Sequence, residues 1–164
     1  MAWFEDLTEC TYFGIRVETL LAVGWLEQGR AFPVGEVDHK VYAALKKYLV
    51  NPWQPTMFLG FHSCDLVTDP PICRVTAPHV YDVTEPPTHG SRNLFVPGAG
   101  VIYVCPELIT HYMNVHSYKP PDVFCNAVLS CPKMKSRRYM RAILNNGGRS
   151  MLKALSDRAK HAQR

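Results

Sequence analysis

The chain has 164 residues, 47% of them apolar and 11% aromatic, with a formal net charge of +4. That composition fits one globular unit able to bury a core without staples, and it excludes a disordered or fibrous chain. The modest net charge conceals a split: residues 133–164 carry ten basic side chains against one acid, Asp157, while residues 1–132 are net acidic.

Residues 20–27 read as a buried strand, followed by a loop marked by Gly29, Pro33 and Gly35. Residues 37–49 predict a helix. Val37, Val41, Leu45, Tyr48 and Leu49 fall on one stripe, and Asp38, Lys40, Lys46 and Lys47 face away. Asn51-Pro52 stops it, because proline cannot continue the hydrogen-bond ladder. Met57 to Cys64 reads as a second strand. The stretch 65–90 holds five prolines and is expected to be mostly loop, with a short strand near 79–83. Asn93–Val96 and Val101–Cys105 predict a hairpin around Pro97-Gly98-Ala99-Gly100. Its strands are apolar on both faces, so both faces should be covered.

Helices follow. Pro106 suits a first helical position, with Leu108, Ile109, Tyr112 and Met113 as the apolar stripe. Pro120-Pro121 opens the next helix, with Phe124, Val128 and Leu129 inward. Ser136 can cap a helix through Leu144, closed by Asn146-Gly147-Gly148. Ser150 can cap a last amphipathic helix. The order implies an α+β fold: a small antiparallel sheet packed against four to five helices, with a helix-rich C-terminal half. The expected organisation is a single domain, 1–164. Residues 1–132 form a mixed α/β body, and 133–164 a basic helical tail packed on it.

No run of about 18 apolar residues occurs, so no membrane span is expected. Met1-Ala2-Trp3-Phe4-Glu5-Asp6 is acidic where a signal peptide would be basic. The expected location is the cytoplasm of a bacterial cell. Six cysteines in such a compartment are expected to stay reduced, mostly as small buried side chains, with a minority free to bind metal or react.

The strongest chemical feature is a pair of ligand-bearing segments, His62-Ser63-Cys64 and His111-Tyr112-Met113-Asn114-Val115-His116. On a strand, residues two apart share a face, so His62 and Cys64 can converge. Five residues on a regular helix turn through about 500°, which leaves His111 and His116 roughly 140° apart. They converge only if the helix tightens or ends near Asn114. The spacing matches the H-x₃₋₅-H arm of structural zinc sites, and zinc suits a mixed imidazole and thiolate set. The competing view is a buried Cys64 thiol and a surface His111, since the paired C-x₂-C arm is missing. Cys73 is a spare ligand. His39, His79, His89 and His161 have no partner at diagnostic spacing.

Gly60-Phe61-His62-x-Cys64 and Pro106-x-Leu108-Ile109-x-His111-Tyr112-x₃-His116-x-Tyr118-x-Pro120-Pro121-x₂-Phe124 resemble the motifs of an uncharacterised family of small bacterial cytoplasmic proteins. Phe4-x-Asp6-Leu7-Thr8, Tyr12 and Gly24-Trp25-Leu26 are similar to it as well. The resemblance spans most of residues 3–130 and leaves the basic tail outside. It implies no known activity. Members of that family often carry a further cysteine near position 67, where this chain has Val67.

Four functions compete. A structural zinc site in a non-enzymatic protein-binding module needs four protein ligands. A zinc-dependent hydrolase needs three ligands, a water and a base. Glu107 lies four residues before His111 on the expected helix, whereas Asp65 should point away from Cys64. A cysteine nucleophile could be Cys105, at a predicted helix start, although an apolar strand end makes it a buried thiol. A nucleic-acid-binding tail could use its Lys and Arg with Tyr139 stacking, yet Tyr139, Met140, Ile143 and Leu144 recur at helical spacing and should face the core. The expectation is the first: a non-enzymatic module with zinc on His62, Cys64, His111 and His116, whose partner is another protein rather than nucleic acid or a membrane.

Overall fold

A computed structural model describes residues 2–56, 62–66 and 89–162, with the backbone alone at His62, His89 and Ala162. The architecture is α+β. In chain order the elements are β1 (Leu20–Ala22), α1 (His39–Leu49), β2 (His62–Ser63), β3 (His89–Gly90), β4 (Asn93–Pro97), β5 (Ile102–Pro106), α2 (Ile109–Val115), α3 (Asp122–Ser130), α4 (Arg137–Ile143) and α5 (Arg149–Ala162). A kinked turn, Leu144–Gly148, joins the last two.

β4 and β5 form the predicted hairpin, pairing Asn93 with Pro106 and Pro97 with Ile102. Every residue of both strands is buried. Helices therefore cover what the sheet would otherwise expose, as the two-sided apolar pattern requires. The sheet is mixed rather than purely antiparallel. β1 joins the other edge of β5 in parallel, with Leu20 opposite Ile102 and Ala22 opposite Val104. A parallel neighbour needs a long crossover, and residues 23–101 supply it.

The first strand is shorter than its apolar run. It ends at Ala22 because Gly24 turns the chain with φ +71°, and a Cβ there would crowd Ile109 and Tyr118. Trp25 continues the run as a core residue instead, with its indole N–H donating to the Val104 carbonyl at 3.0 Å.

α1 starts two residues later than the apolar stripe suggests. The Asp38 carboxylate accepts from the Lys40 amide at 2.8 Å and caps it. Its buried face is Val41, Leu45 and Leu49. Of the predicted strand 57–64, β2 covers His62–Ser63, and residues 57–61 lie outside the described residues, as does the short strand expected near 79–83.

The C-terminal half is helical as expected. Ser136 caps α4 by accepting from the Tyr139 amide at 3.1 Å. Ser150 is not a cap: α5 begins at Arg149, straight out of the kink at Gly147 (φ +104°). A Cβ at Gly147 would collide with the Thr19 side chain. Residues beyond Pro132 meet the body through apolar and polar anchors. Tyr139, Ile143 and Met151 are buried, the Tyr139 hydroxyl donates to the Phe95 carbonyl at 2.7 Å, and Arg158 donates to the Phe13 carbonyl at 2.6 Å. Among the described residues no ion pair joins this segment to the acidic body.

Candidate metal centre

α2 leaves the end of β5 after a turn at Glu107 and Leu108, so it enters the core beside the sheet. Ile109 through Met113 are all buried. Burial extends to a polar side chain, His111, which is 1% exposed. The helix then stops at Val115. The Tyr112 carbonyl accepts from both the His116 amide (3.1 Å) and the Tyr118 amide (3.0 Å), and Ser117 takes the left-handed conformation at φ +53°. His116 therefore leaves the helical path, and the 140° separation of an ideal helix does not apply.

The result is convergence. Cys64, His111 and His116 each place one ligand atom within 4.8 Å of the others. Cys64 Sγ lies 3.3 Å from His116 Nε2, and the two imidazole rings meet edge to face with centroids 5.2 Å apart. Cys64 arrives from the residue after β2, so the group ties a segment distant in sequence to the end of α2. Burial lowers the pKa of both histidines, His111 to about 4, with neighbouring His116 adding to the effect there. Both rings are thus neutral at pH 7, the state in which an imidazole nitrogen can bind a cation. A thiolate and two neutral imidazoles form a donor set able to hold a metal ion.

The fourth expected ligand, the His62 side chain, lies outside the described residues, as do Cys73, Val67, His79 and the side chain of His89. His39 is exposed at the start of α1, and His161 contacts the Asp157 carbonyl on exposed α5. Asp65 is exposed and is not part of the ligand group.

Two other sequence candidates have different occupations. Glu107 precedes α2 instead of riding on it. Its carboxylate is ion-paired with Arg92 and accepts from the Ser91 and Arg92 amides at 3.3 Å each. A carboxylate so engaged locks the β3–β4 connection to β5 and is poorly placed as a general base. Cys105 is fully buried inside β5, and burial raises its thiol pKa well above the ordinary value, which makes it inert at neutral pH.

The residues that position His116 escaped the sequence reading. The Tyr118 hydroxyl donates to Asp6 Oδ2 at 2.7 Å, and Asp6 Oδ1 accepts from the Gly24 amide at 2.8 Å. Burial raises the Asp6 pKa. On the other side of the same turn, Gly35 N donates to the Ser117 carbonyl (3.0 Å) and Lys119 N to the Pro33 carbonyl (2.9 Å). The turn that redirects His116 is thus clamped from two remote segments. Both Asp6 and Tyr118 belong to the motifs quoted above, but nothing in a single sequence joins positions so far apart.

The profile of one family, described as a domain of unknown function, DUF7919, matches residues 2–129. The chain belongs to DUF7919. The DUF7919 region contains all three converging ligands and ends before the basic segment, in line with the extent of the resemblance seen in the sequence. No curated protein and no solved structure matches the chain. Among the described residues no helix is long and apolar enough to cross a membrane.

Proposed function

We propose that this DUF7919 protein is a metal-stabilised, non-enzymatic protein-binding module. Zinc is the metal, held by Cys64, His111 and His116, with His62 as the fourth ligand. The observation that carries the reading is the meeting of one sulfur and two imidazole nitrogens within 4.8 Å at the C-terminal end of α2. His62 is favoured as the fourth ligand by its sequence spacing, two residues from Cys64. A structural role is favoured by Glu107, whose carboxylate is committed to Arg92 and two backbone amides. A closed site of this kind turns metal-binding energy into folding energy. A metal–thiolate site also suits a reducing compartment, so the cytoplasm is the proposed location.

Elemental analysis of untagged protein purified without added metal tests this directly. The expected result is close to one zinc per chain, with lower melting temperature after chelation and in Cys64→Ala or His111→Ala. Absence of any transition metal would overturn the site. Unchanged melting in the chelated protein and both variants would overturn the structural role.

A hydrolase is the second reading, favoured by a cavity of about 390 Å³ beside His116, lined in part by Gln28, Arg30, Phe32 and Leu66. It requires a water as the fourth ligand. A cobalt-substituted spectrum that His62→Ala leaves unchanged would favour it over the closed site.

A further inference from the structure

The described cysteines sit in unlike surroundings. Cys10 and Cys105 are fully buried and Cys131 nearly so, and burial raises the thiol pKa of all three. Cys125 is half-buried on α3 with its Sγ turned to the Pro120 carbonyl at 3.7 Å, and burial raises its pKa as well. Such thiols stay protonated at neutral pH and react slowly. Cys64 differs. It is half-buried between exposed Ser63 and Asp65, and its Sγ lies 3.3 Å from His116 Nε2 within the candidate ligand group. The cavity of about 390 Å³ beside this group is lined in part by His116 and by Leu66, two residues beyond Cys64. A reagent of a few atoms can approach the sulfur from that side.

A cysteine that holds a metal does so as the thiolate, and the thiolate is also the form that attacks peroxides. Susceptibility to oxidation follows thiolate character and exposure, and among the described cysteines Cys64 alone combines a ligand position with partial exposure. We propose that Cys64 is a modification site for hydroperoxides, and that its oxidation releases the metal held with His111 and His116. The thiolate sulfur attacks the terminal oxygen of the hydroperoxide. An S–O bond forms, the O–O bond breaks, and the leaving oxygen takes the peroxide proton and departs as water or an alcohol. Sulfur is oxidised by two electrons to the sulfenate, and the peroxide is reduced by the same two. The product lacks the soft thiolate donor on which the ligand group depends. A thiol reductant restores it: one thiol forms a mixed disulfide with loss of water, and a second displaces the Cys64 thiol.

Release of the metal unties Cys64 from the end of α2, a helix with no side-chain cap, so oxidation becomes a loss of folding energy. The inference rests on the metal-site reading and names the regulation of that site.

The test uses the zinc-loaded full chain and hydrogen peroxide. A chromogenic chelator reads released zinc, and differential alkylation with mass spectrometry maps the lost thiols. About one zinc per chain should be released as the Cys64 thiol disappears, with a fall in melting temperature. Dithiothreitol with added zinc should reverse both. Cys125→Ala should release zinc at the wild-type rate. Cys64→His keeps a nitrogen donor at the position and removes the sulfur, so it should retain zinc at a peroxide dose that strips the wild type. Should that variant fail to bind zinc, the thiol map of the wild type decides. Zinc retained by the wild type through peroxide treatment, or thiol loss at another cysteine before Cys64, would overturn the inference and leave the metal site standing. Zinc lost as fast from Cys64→His as from the wild type would overturn it too. A chain that holds no zinc before peroxide is added overturns the metal site and the inference with it, so the two failures read differently.

Discussion

α2 and α5 are both helices, yet opposite means hold them. α2 spans seven residues, has no side-chain cap and is buried from Ile109 to Met113. A helix that short is unstable alone, since isolated helices below about 12–15 residues are marginal in water. Its conformation is imposed by β5 on one side and by the turn at Ser117 on the other. α5 spans fourteen residues, is largely exposed, and has a Lys153–Asp157 pair at i,i+4. Among its described residues it meets the body at Met151, Arg158, Ala154 and its half-buried leucines. The buried helix, supported from outside, carries the candidate ligand His111 and places His116 at its end. Precision at the site comes from packing rather than from helix propensity.

If that contrast is right, the largest effect lies in α2. Tyr112→Ala should cost about 3–5 kcal/mol by opening a cavity beneath the ligand turn. Leu155→Ala, on half-buried ground in α5, should cost about 1 kcal/mol or less. Urea denaturation of both variants makes the comparison, and similar losses would break it.

Acid should also act through α2. The His111 pKa is about 4 when folded against 6.5 unperturbed. Between those values the unfolded chain binds a proton that the folded chain refuses. Stability of the metal-free protein should therefore fall as pH drops from about 6.5 to about 4, by at most about 3 kcal/mol from this group. His116 shifts in the same direction and adds to the loss, whereas Asp6, whose pKa is raised, acts with the opposite sign. Comparison with His111→Gln isolates the effect, and the difference between the two curves should vanish above about pH 7.

A smaller loss should follow from the clamp. Tyr118→Phe removes one donor from the half-buried Asp6 carboxylate and should cost about 1 kcal/mol. If the proposed zinc site holds, zinc affinity should fall with it, because the turn beside His116 loosens. A stability loss with unchanged affinity would limit Tyr118 to packing.

The smallest effect belongs to α5. Lys153→Ala breaks an exposed ion pair and should leave the melting temperature unchanged within error at physiological salt. A clear loss there would mean that α5 depends on its charges more than its exposure suggests.

The sequence by itself determined the elements whose pattern is local. The β4–β5 hairpin, the α1 stripe, the Ser136 cap and the helix-rich second half were all legible, because periodicity, turn residues and caps act over a few positions. Cys64, His111 and His116 were also legible as candidates, from residue type and spacing. Tertiary structure decided the rest. The parallel pairing of β1 with β5 joins residues about eighty positions apart, and no local pattern encodes such a partner. Pro106 looked like a helix start but completes β5, because the hairpin register reaches Asn93 and outweighs proline's preference. Glu107 looked like a helical base but turned to Arg92. The convergence of His111 with His116 required the helix to end at Val115 and the chain to turn at Ser117. That ending is set by Tyr118 on Asp6 and by the strand-like contact of residues 33–35, whose contributions are long-range and therefore invisible in the spacing alone.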